Sequence, residues 1–186
     1  MWRVTYLEKG NIFKSGLKWL TSDGIAKSRL KVKPGVRSEL RNDAGEIIRM
    51  AANGEFKLFD SPYGEKPELY GEVAVMNLEK RNGKYRTSCY IKANQNRCSD
   101  MLIKPLGKNV DEFQVFRGEV QITEYDESNR EYTICVLEEG QKADLKYNPS
   151  KRGRERYSVS AVQDIPDDSH DYFINNYLDS RKWRGK

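Results

Sequence analysis

Short runs in which apolar and polar residues alternate, separated by turn-forming residues, dominate the chain and predict a protein built from β-strands. Met1 to Leu7 alternates and is rich in β-branched and aromatic side chains; Lys9-Gly10-Asn11 closes it. Ile12 to Leu20 fits a short helix in part, while Gly16 and Thr21-Ser22-Asp23-Gly24 favour strand and turn. Strand-like runs follow at Leu30 to Lys33, Glu46 to Met50 and Glu55 to Phe59, with turns expected at Pro34-Gly35, Asn53-Gly54 and Pro62-Tyr63-Gly64. Glu72 to Leu78 and Lys84 to Ala93 flank Arg81-Asn82-Gly83. Asn-Gly between alternating runs predicts a two-residue hairpin turn, because both residues tolerate a positive φ.

A second block repeats the pattern. Asp111 to Phe116, Gly118 to Tyr125 and Glu131 to Leu137 read as strands, the last two joined by the polar turn Asp126-Glu127-Ser128-Asn129. Tyr157 to Val162 reads as a further strand, reached through Asn148-Pro149-Ser150-Lys151-Arg152-Gly153, an exposed basic loop. Helix is predicted only at the C-terminal end, where Asp167-Asp168-Ser169 after Pro166 supplies capping residues and early negative charge. Phe173, Ile174, Tyr177 and Leu178 then fall three and four apart, a stripe expected to pack on the sheet.

The expected fold is therefore mainly β, barrel-like or made of two small β modules of antiparallel hairpins, with one C-terminal α-helix. The chain reads as a single domain over residues 1–186, or as two modules, 1–95 and 96–186. The polar Asn94-Gln95-Asn96-Arg97 and turn-rich Pro105-Leu106-Gly107-Lys108-Asn109 suggest the division; Met101-Leu102-Ile103 between them looks buried and argues for continuity.

Leu30-Lys31-Val32-Lys33-Pro34-Gly35, Gly45-Glu46-Ile47-Ile48 and Asn53-Gly54-Glu55-Phe56 resemble the strand and turn order of bacterial SH3-like barrels. The resemblance covers about a third of the chain, rests on turn grammar, and implies a small barrel for the N-terminal half without supplying a ligand site.

At 186 residues the chain is long enough to bury a core without disulfides or cofactor. Its 11% aromatic content speaks against disorder. No run approaches the roughly 20 apolar residues that span a bilayer, and no signal-like apolar segment follows Arg3. The odd number of cysteines, Cys89, Cys98 and Cys135, with no C-x-x-C spacing, points to a reducing, cytoplasmic location.

Catalytic chemistry finds little support. A single histidine, His170, cannot build a multi-histidine metal site, and its place in a helix first turn suits a solvent-facing residue. Cys89 and Cys135 sit in strand patterns as small apolar residues, while Cys98 is the more exposed thiol; none has a base nearby in sequence. No phosphate-binding glycine loop occurs. Asp43 followed by Glu55-Phe56-Lys57, with Glu46 nearby, resembles restriction-endonuclease-like enzymes, in which carboxylates hold Mg²⁺ and the lysine serves the attacking water. Asp43 lies in a predicted turn, however, and the helices of such enzymes are missing from this region. No catalytic residue, metal site or cofactor is assigned.

Charge carries more information. Lysine and arginine exceed acids by 33 to 28, for a net charge of +5. Basic and aromatic residues recur together in three clusters. These are Lys80-Arg81 with Lys84, Tyr85, Arg86, Tyr90 and Lys92; Lys142, Lys146-Tyr147, Lys151, Arg152, Arg154 and Arg156-Tyr157; and Arg181-Lys182-Trp183-Arg184 with Lys186. On a β-surface, rings can stack bases while cations neutralise phosphates. The first expectation is a nucleic-acid-binding accessory protein using Lys84, Tyr85, Arg86, Tyr90, Lys151, Arg152, Arg154 and Arg156. Acidic runs from Glu124 to Glu131 and from Asp164 to Asp171 make the surface two-signed, which suits the alternative. That alternative is a protein-binding adaptor or inhibitor of the viral or mobile-element type, with the metal-dependent nuclease third.

Overall fold

The computed structural model describes residues 2–8, 29–31, 37–59, 66–78, 85–86, 89–93 and 98–183. Fourteen strands occur among them: β1 (Trp2–Leu7), β2 (Arg29–Lys31), β3 (Ser38–Asn42), β4 (Ile47–Phe59), β5 (Lys66–Leu78), β6 (Tyr85–Arg86), β7 (Tyr90–Ala93), β8 (Ser99–Gly107), β9 (Val110–Arg117), β10 (Glu119–Tyr125), β11 (Glu131–Glu138), β12 (Gln141–Tyr147), β13 (Tyr157–Val159) and β14 (Gln163–Asp164). The fold is mainly β and antiparallel, with one C-terminal helix, α1 (Asp167–Phe173). Hydrogen bonds run along the order β11-β10-β7-β6-β5-β8-β9-β12-β13, with β4, β3, β1 and β2 branching from β5 and β14 added beside β12. Among the described residues no ladder joins β11 to β13, so the path does not close into a barrel.

The period-two pattern explains how this sheet is covered on both faces. In β5, Val73, Ala74, Val75 and Met76 are all buried; Val73 and Val75 join the main core, and Ala74 and Met76 join a second apolar layer on the other face. In β8, Met101 and Ile103 enter the main core while Leu102 joins the second layer. Alternate side chains leave opposite faces of a strand, so a continuous apolar run marks a strand buried from both sides. The main core draws on Leu40, Ile48, Met50, Phe56, Phe113, Val115, Val120, Ile122 and Leu137, and so collects residues from both halves of the chain. β8 itself, which lies in the segment read as a boundary, pairs with β5 on one side and β9 on the other.

Helix α1, a π turn at Ile174–Leu178 and a 3-10 turn at Ser180–Trp183 cover the second layer. Phe173 stacks flat on Phe116 with centroids 4.0 Å apart, and Tyr177 and Trp183 complete the contact. Of the stripe read from the sequence, Phe173 and Tyr177 are buried, whereas Ile174 is 50% and Leu178 43% exposed. Phe173 and Tyr177 are four apart on one face; their neighbours Ile174 and Leu178 are rotated about 100° away from it. The N-cap is Pro166, without a side-chain cap, so Asp167 and Asp168 act only through their charge in the first turn. His170 is half-buried against the edge of the Phe116 ring, 5.2 Å between centroids, rather than solvent-facing.

Three further expectations are corrected. Asn53-Gly54 is not a turn: β4 runs through it as one 13-residue strand, with register shifts between Met50 and Ala52 and between Ala52 and Glu55. Gly54 is needed because a Cβ there would stand 2.6 Å from the Met50 Cβ. Of the residues that resemble an SH3-like barrel, Gly45 to Phe56 therefore runs into one long strand of a larger sheet, and Pro34-Gly35 lies outside the described residues. The hairpin predicted between Glu72–Leu78 and Lys84–Ala93 does not form either. The antiparallel neighbours of β5 are β4 and β8, its bridge to β6 is parallel, at Glu68 and Arg86, and β7 pairs with β6 and β10. A strand apolar on both faces belongs at a sheet centre, where two full-length neighbours protect it. The Asn82-Gly83 and Pro62-Tyr63-Gly64 turns and the Ile12 to Leu20 segment lie outside the described residues. The hairpin of β10 and β11 around Asp126–Asn129 forms as expected, with Asn129 at φ 57° and the Asp126 carboxylate accepting from Ser128 N and Arg130 N at 2.9 Å each.

Candidate interaction surface

β12 and β13 hold the basic segment between their ends. Tyr147 pairs with Tyr157, so the chain from 148 to 156 is a loop closed at its base by a ladder. Asn148 N donates to Arg156 O at 2.7 Å and Lys151 N to Asn148 O at 3.2 Å; the Asn148 side-chain oxygen accepts from Ser150 N at 3.1 Å and Ser150 Oγ at 2.7 Å. Gly153–Arg156 forms a 3-10 turn, with Gly153 at φ 55°. These bonds tie the loop back on itself and leave Lys151, Arg152 and Arg154 exposed and Arg156 half-buried.

The loop leans on the β10–β11 hairpin. The Arg154 guanidinium lies over the Tyr132 ring, 5.1 Å from its centroid, and Tyr132 OH donates to Gly153 O at 3.4 Å. Tyr157 OH donates to the Glu124 carboxylate at 2.7 Å, and the rings of Tyr147 and Tyr157 sit 5.4 Å apart. Burial, with the Glu124 bond and charge, pushes the Tyr157 hydroxyl far above the ordinary tyrosine range, so it remains a donor. Burial also raises Tyr132, and Glu124 adds to this while Arg154 and Arg156 oppose it. These side-chain contacts join the loop to β11, through Tyr132, and β13 to β10, through Glu124.

Of the residues assigned to nucleic-acid binding, Lys151, Arg152 and Arg154 are exposed and Arg156 is half-buried, all on this one loop. Lys151 pairs with Glu155 at 3.5 Å, and Arg156 Nε donates to Lys151 O at 3.2 Å. Tyr90 lies on β7, its ring edge-on to Tyr125 at 5.4 Å. Tyr85 and Arg86 form β6, whose backbone alone is described, and Lys84 lies outside the described residues. Three other cations of the clusters are engaged by acids: Lys92 with Glu131 at 2.9 Å, Lys142 with Glu112 at 2.9 Å, and Arg181 with Asp179 at 3.0 Å.

The described cations of the third cluster, Arg181 and Lys182, lie in the 3-10 turn whose Trp183 meets Tyr6 of β1 and Arg49 of β4. Ile165 N donates to Gly140 O, just ahead of β12, so α1 starts at one end of that strand while the basic loop leaves the other. At about 3.3 Å per residue, β12 separates the two by roughly 20 Å. The residues resembling a nuclease site are also apart. Asp43 is in the turn ahead of β4, 3.6 Å from Arg3, whereas Glu55 lies far along β4 with Lys57 at 3.3 Å. Among the described residues no group of three or more His, Cys, Asp or Glu could hold a metal ion. Cys89 is buried and Cys98 and Cys135 half-buried, and burial raises the Cys135 thiol.

The sequence missed Glu124 and Tyr132 as partners of the loop. Their signal was a Glu-x-x-x-x-x-x-x-Tyr spacing across a turn, which has no meaning until β13 arrives from elsewhere.

Two crystal structures of a proposed anti-sigma factor from Parabacteroides distasonis ATCC 8503, at 2.50 Å and 1.65 Å resolution, are similar to this chain in fold. Each superposes with a TM-score of 0.55, at 10% and 12% identity, over 80% of this chain. This chain spans 65% of the length of the chain it matches. No protein-family model and no curated protein matches the sequence. No described helix is long and apolar enough to cross a membrane.

Proposed function

We propose that this chain is a non-enzymatic protein-binding module of the adaptor or inhibitor kind. The observation that carries this reading is the arrangement of charge. Lys92, Lys142 and Arg181 are neutralised by acids on the protein itself, and the basic loop and the terminal helix leave opposite ends of β12. A nucleic-acid platform needs its cations on one track; a protein partner needs only a local complementary patch. The similarity in fold to a proposed anti-sigma factor supports the same reading. Native purification of the full chain from its source cells, with nuclease treatment, should retain a protein partner in fixed stoichiometry. Recovery of the chain alone after gentle cross-linking would count against the proposal.

Nucleic-acid binding is the second reading, favoured by one observation: Arg152, Arg154 and Arg156 make no ion pair among the described residues. Filter binding of single- and double-stranded DNA and RNA at two salt concentrations, with and without Mg²⁺, tests it. Retention should fall with salt with a log–log slope near 0.9 per phosphate contacted on duplex DNA. Absence of retention removes this reading, and intact substrate in Mg²⁺ removes the nuclease.

A further inference from the structure

We propose that the loop from Asn148 to Arg156 is the docking site for an acidic segment of a partner protein. This rests on the protein-binding reading above and adds the chemistry of what is bound. Lys151, Arg152, Arg154 and Arg156 lie within six consecutive positions, opposed in that stretch only by Glu155, which reaches Lys151. Each guanidinium can meet a carboxylate with two parallel hydrogen bonds, which gives orientation as well as charge. The loop is pre-formed: its base is a ladder, Asn148 ties Ser150 and Lys151, and the Arg154 side chain is stacked on Tyr132. Ordering these groups before contact lowers the entropy lost on binding.

Two features favour an acidic peptide over a nucleic acid here. The rings beside the loop are engaged within the protein, Tyr132 under Arg154 and Tyr157 against Tyr147, which leaves less ring surface on which bases could stack. The loop also abuts the acidic hairpin: Glu124, Asp126, Arg154 and Arg156 all act on the Tyr132 hydroxyl. A phosphate backbone carries a charge at every nucleotide and would run from the loop onto those acids. A short run of Asp or Glu ends within it.

Fluorescence anisotropy with a labelled Glu-Ser repeat peptide, against labelled oligo-dT of the same length, tests the proposal on the full chain. The unmodified protein should bind the peptide saturably and more tightly than oligo-dT. Lys151→Glu/Arg152→Glu should weaken peptide binding by at least about tenfold, since it replaces attraction with repulsion at two contacts. This variant leaves Arg154 on Tyr132, and near-ultraviolet circular dichroism reports whether the corner is intact; if it is not, Arg152→Ala carries the test with a smaller loss. Absent peptide binding, equal binding by the variant, or tighter binding of oligo-dT would each overturn the proposal. Purification of the same variant from cells separates the two ideas. A partner retained by the variant as well as by the unmodified chain defeats the loop and leaves the protein-binding reading standing, whereas no partner on either defeats that reading itself.

Discussion

Arg49 and Glu39 sit opposite each other on β4 and β3, and their ion pair lies beneath the C-terminal segment. Arg49 Nε donates to Glu39 at 2.7 Å, its Nη1 to Tyr177 O, and its guanidinium lies 5.1 Å from the centroid of the Trp183 ring. The second Glu39 oxygen accepts from Arg41 and Thr5, both at 2.7 Å. A buried pair is strongly destabilising to break and can be nearly neutral to replace whole. Arg49→Met should therefore cost about 3 kcal/mol in urea denaturation, and Glu39→Met/Arg49→Met distinctly less. Burial pushes the Glu39 carboxyl up, but the bonds from Arg41, Thr5 and Arg49, with the Arg49 charge, outweigh it and hold the carboxyl below its ordinary value of 4.5. A depressed folded pKa contributes stability above that value and loses it as pH falls through the folded one. Acid denaturation should thus be shallower in the double variant below pH 4.5. At the alkaline end, Tyr172 and Tyr177 both donate to the Glu72 carboxylate. Burial, with the Glu72 bond and charge, pushes Tyr172 up to about 12 from 10.0, and Tyr177 is raised further. A raised pKa stabilises below the unfolded value, and that contribution is lost as pH rises through the folded one. Stability should fall from pH 10.0 towards about 12, less steeply in Tyr172→Phe, as checked by tyrosinate absorbance alongside circular dichroism.

Elements follow rules that single residues only modulate. β4 changes register twice about Ala52 and continues, and the space that lets it bend is the missing side chain of Gly54 over Met50. Gly54→Ala must displace the Met50 side chain inside the core and should cost about 1–3 kcal/mol by chemical denaturation. The terminal helical segment offers an internal comparison. Phe173→Ala removes a buried ring stacked on Phe116 and should cost about 3–5 kcal/mol, whereas Ile174→Ser, one position on, should stay within about 0.5 kcal/mol. The two residues look alike in the sequence; which face of the helix meets Phe116 separates them.

The whole molecule is a two-faced sheet whose second face depends on its last residues. Ala74, Met76, Leu102 and the partly buried Phe116 are covered by Phe173, Tyr177 and Trp183. Deleting the chain from Pro166 onward should expose that face, raising anilinonaphthalene-sulfonate fluorescence and promoting aggregation. At the other end of β12 the charge pattern takes over, with cations on the loop beside acids on the β10–β11 hairpin. Exposed contacts of this kind are screened over a Debye length of about 8 Å at physiological ionic strength, so binding through the loop should weaken with added salt.

The amino-acid sequence by itself determined what depends on near neighbours. Alternation made the chain mainly β, the Asp126–Asn129 turn joined β10 to β11, and a late run of three-and-four spacing made the C-terminal helix. It also showed that cations and acids share the chain in local runs. Tertiary structure decided everything that depends on which distant strand arrives. The Asn53-Gly54 pair reads as a turn locally, yet long ladders to β5 on either side outweigh one favourable turn and carry β4 through it. β5 takes β8 rather than the next run in sequence, because its two apolar faces require full-length neighbours on both sides. The candidate surface was legible as a basic loop of Lys151, Arg152, Arg154 and Arg156. Its anchoring on Tyr132 and the nearby Glu124 was not, since those contacts join residues more than 20 positions apart and exist only once β13 stands beside β11.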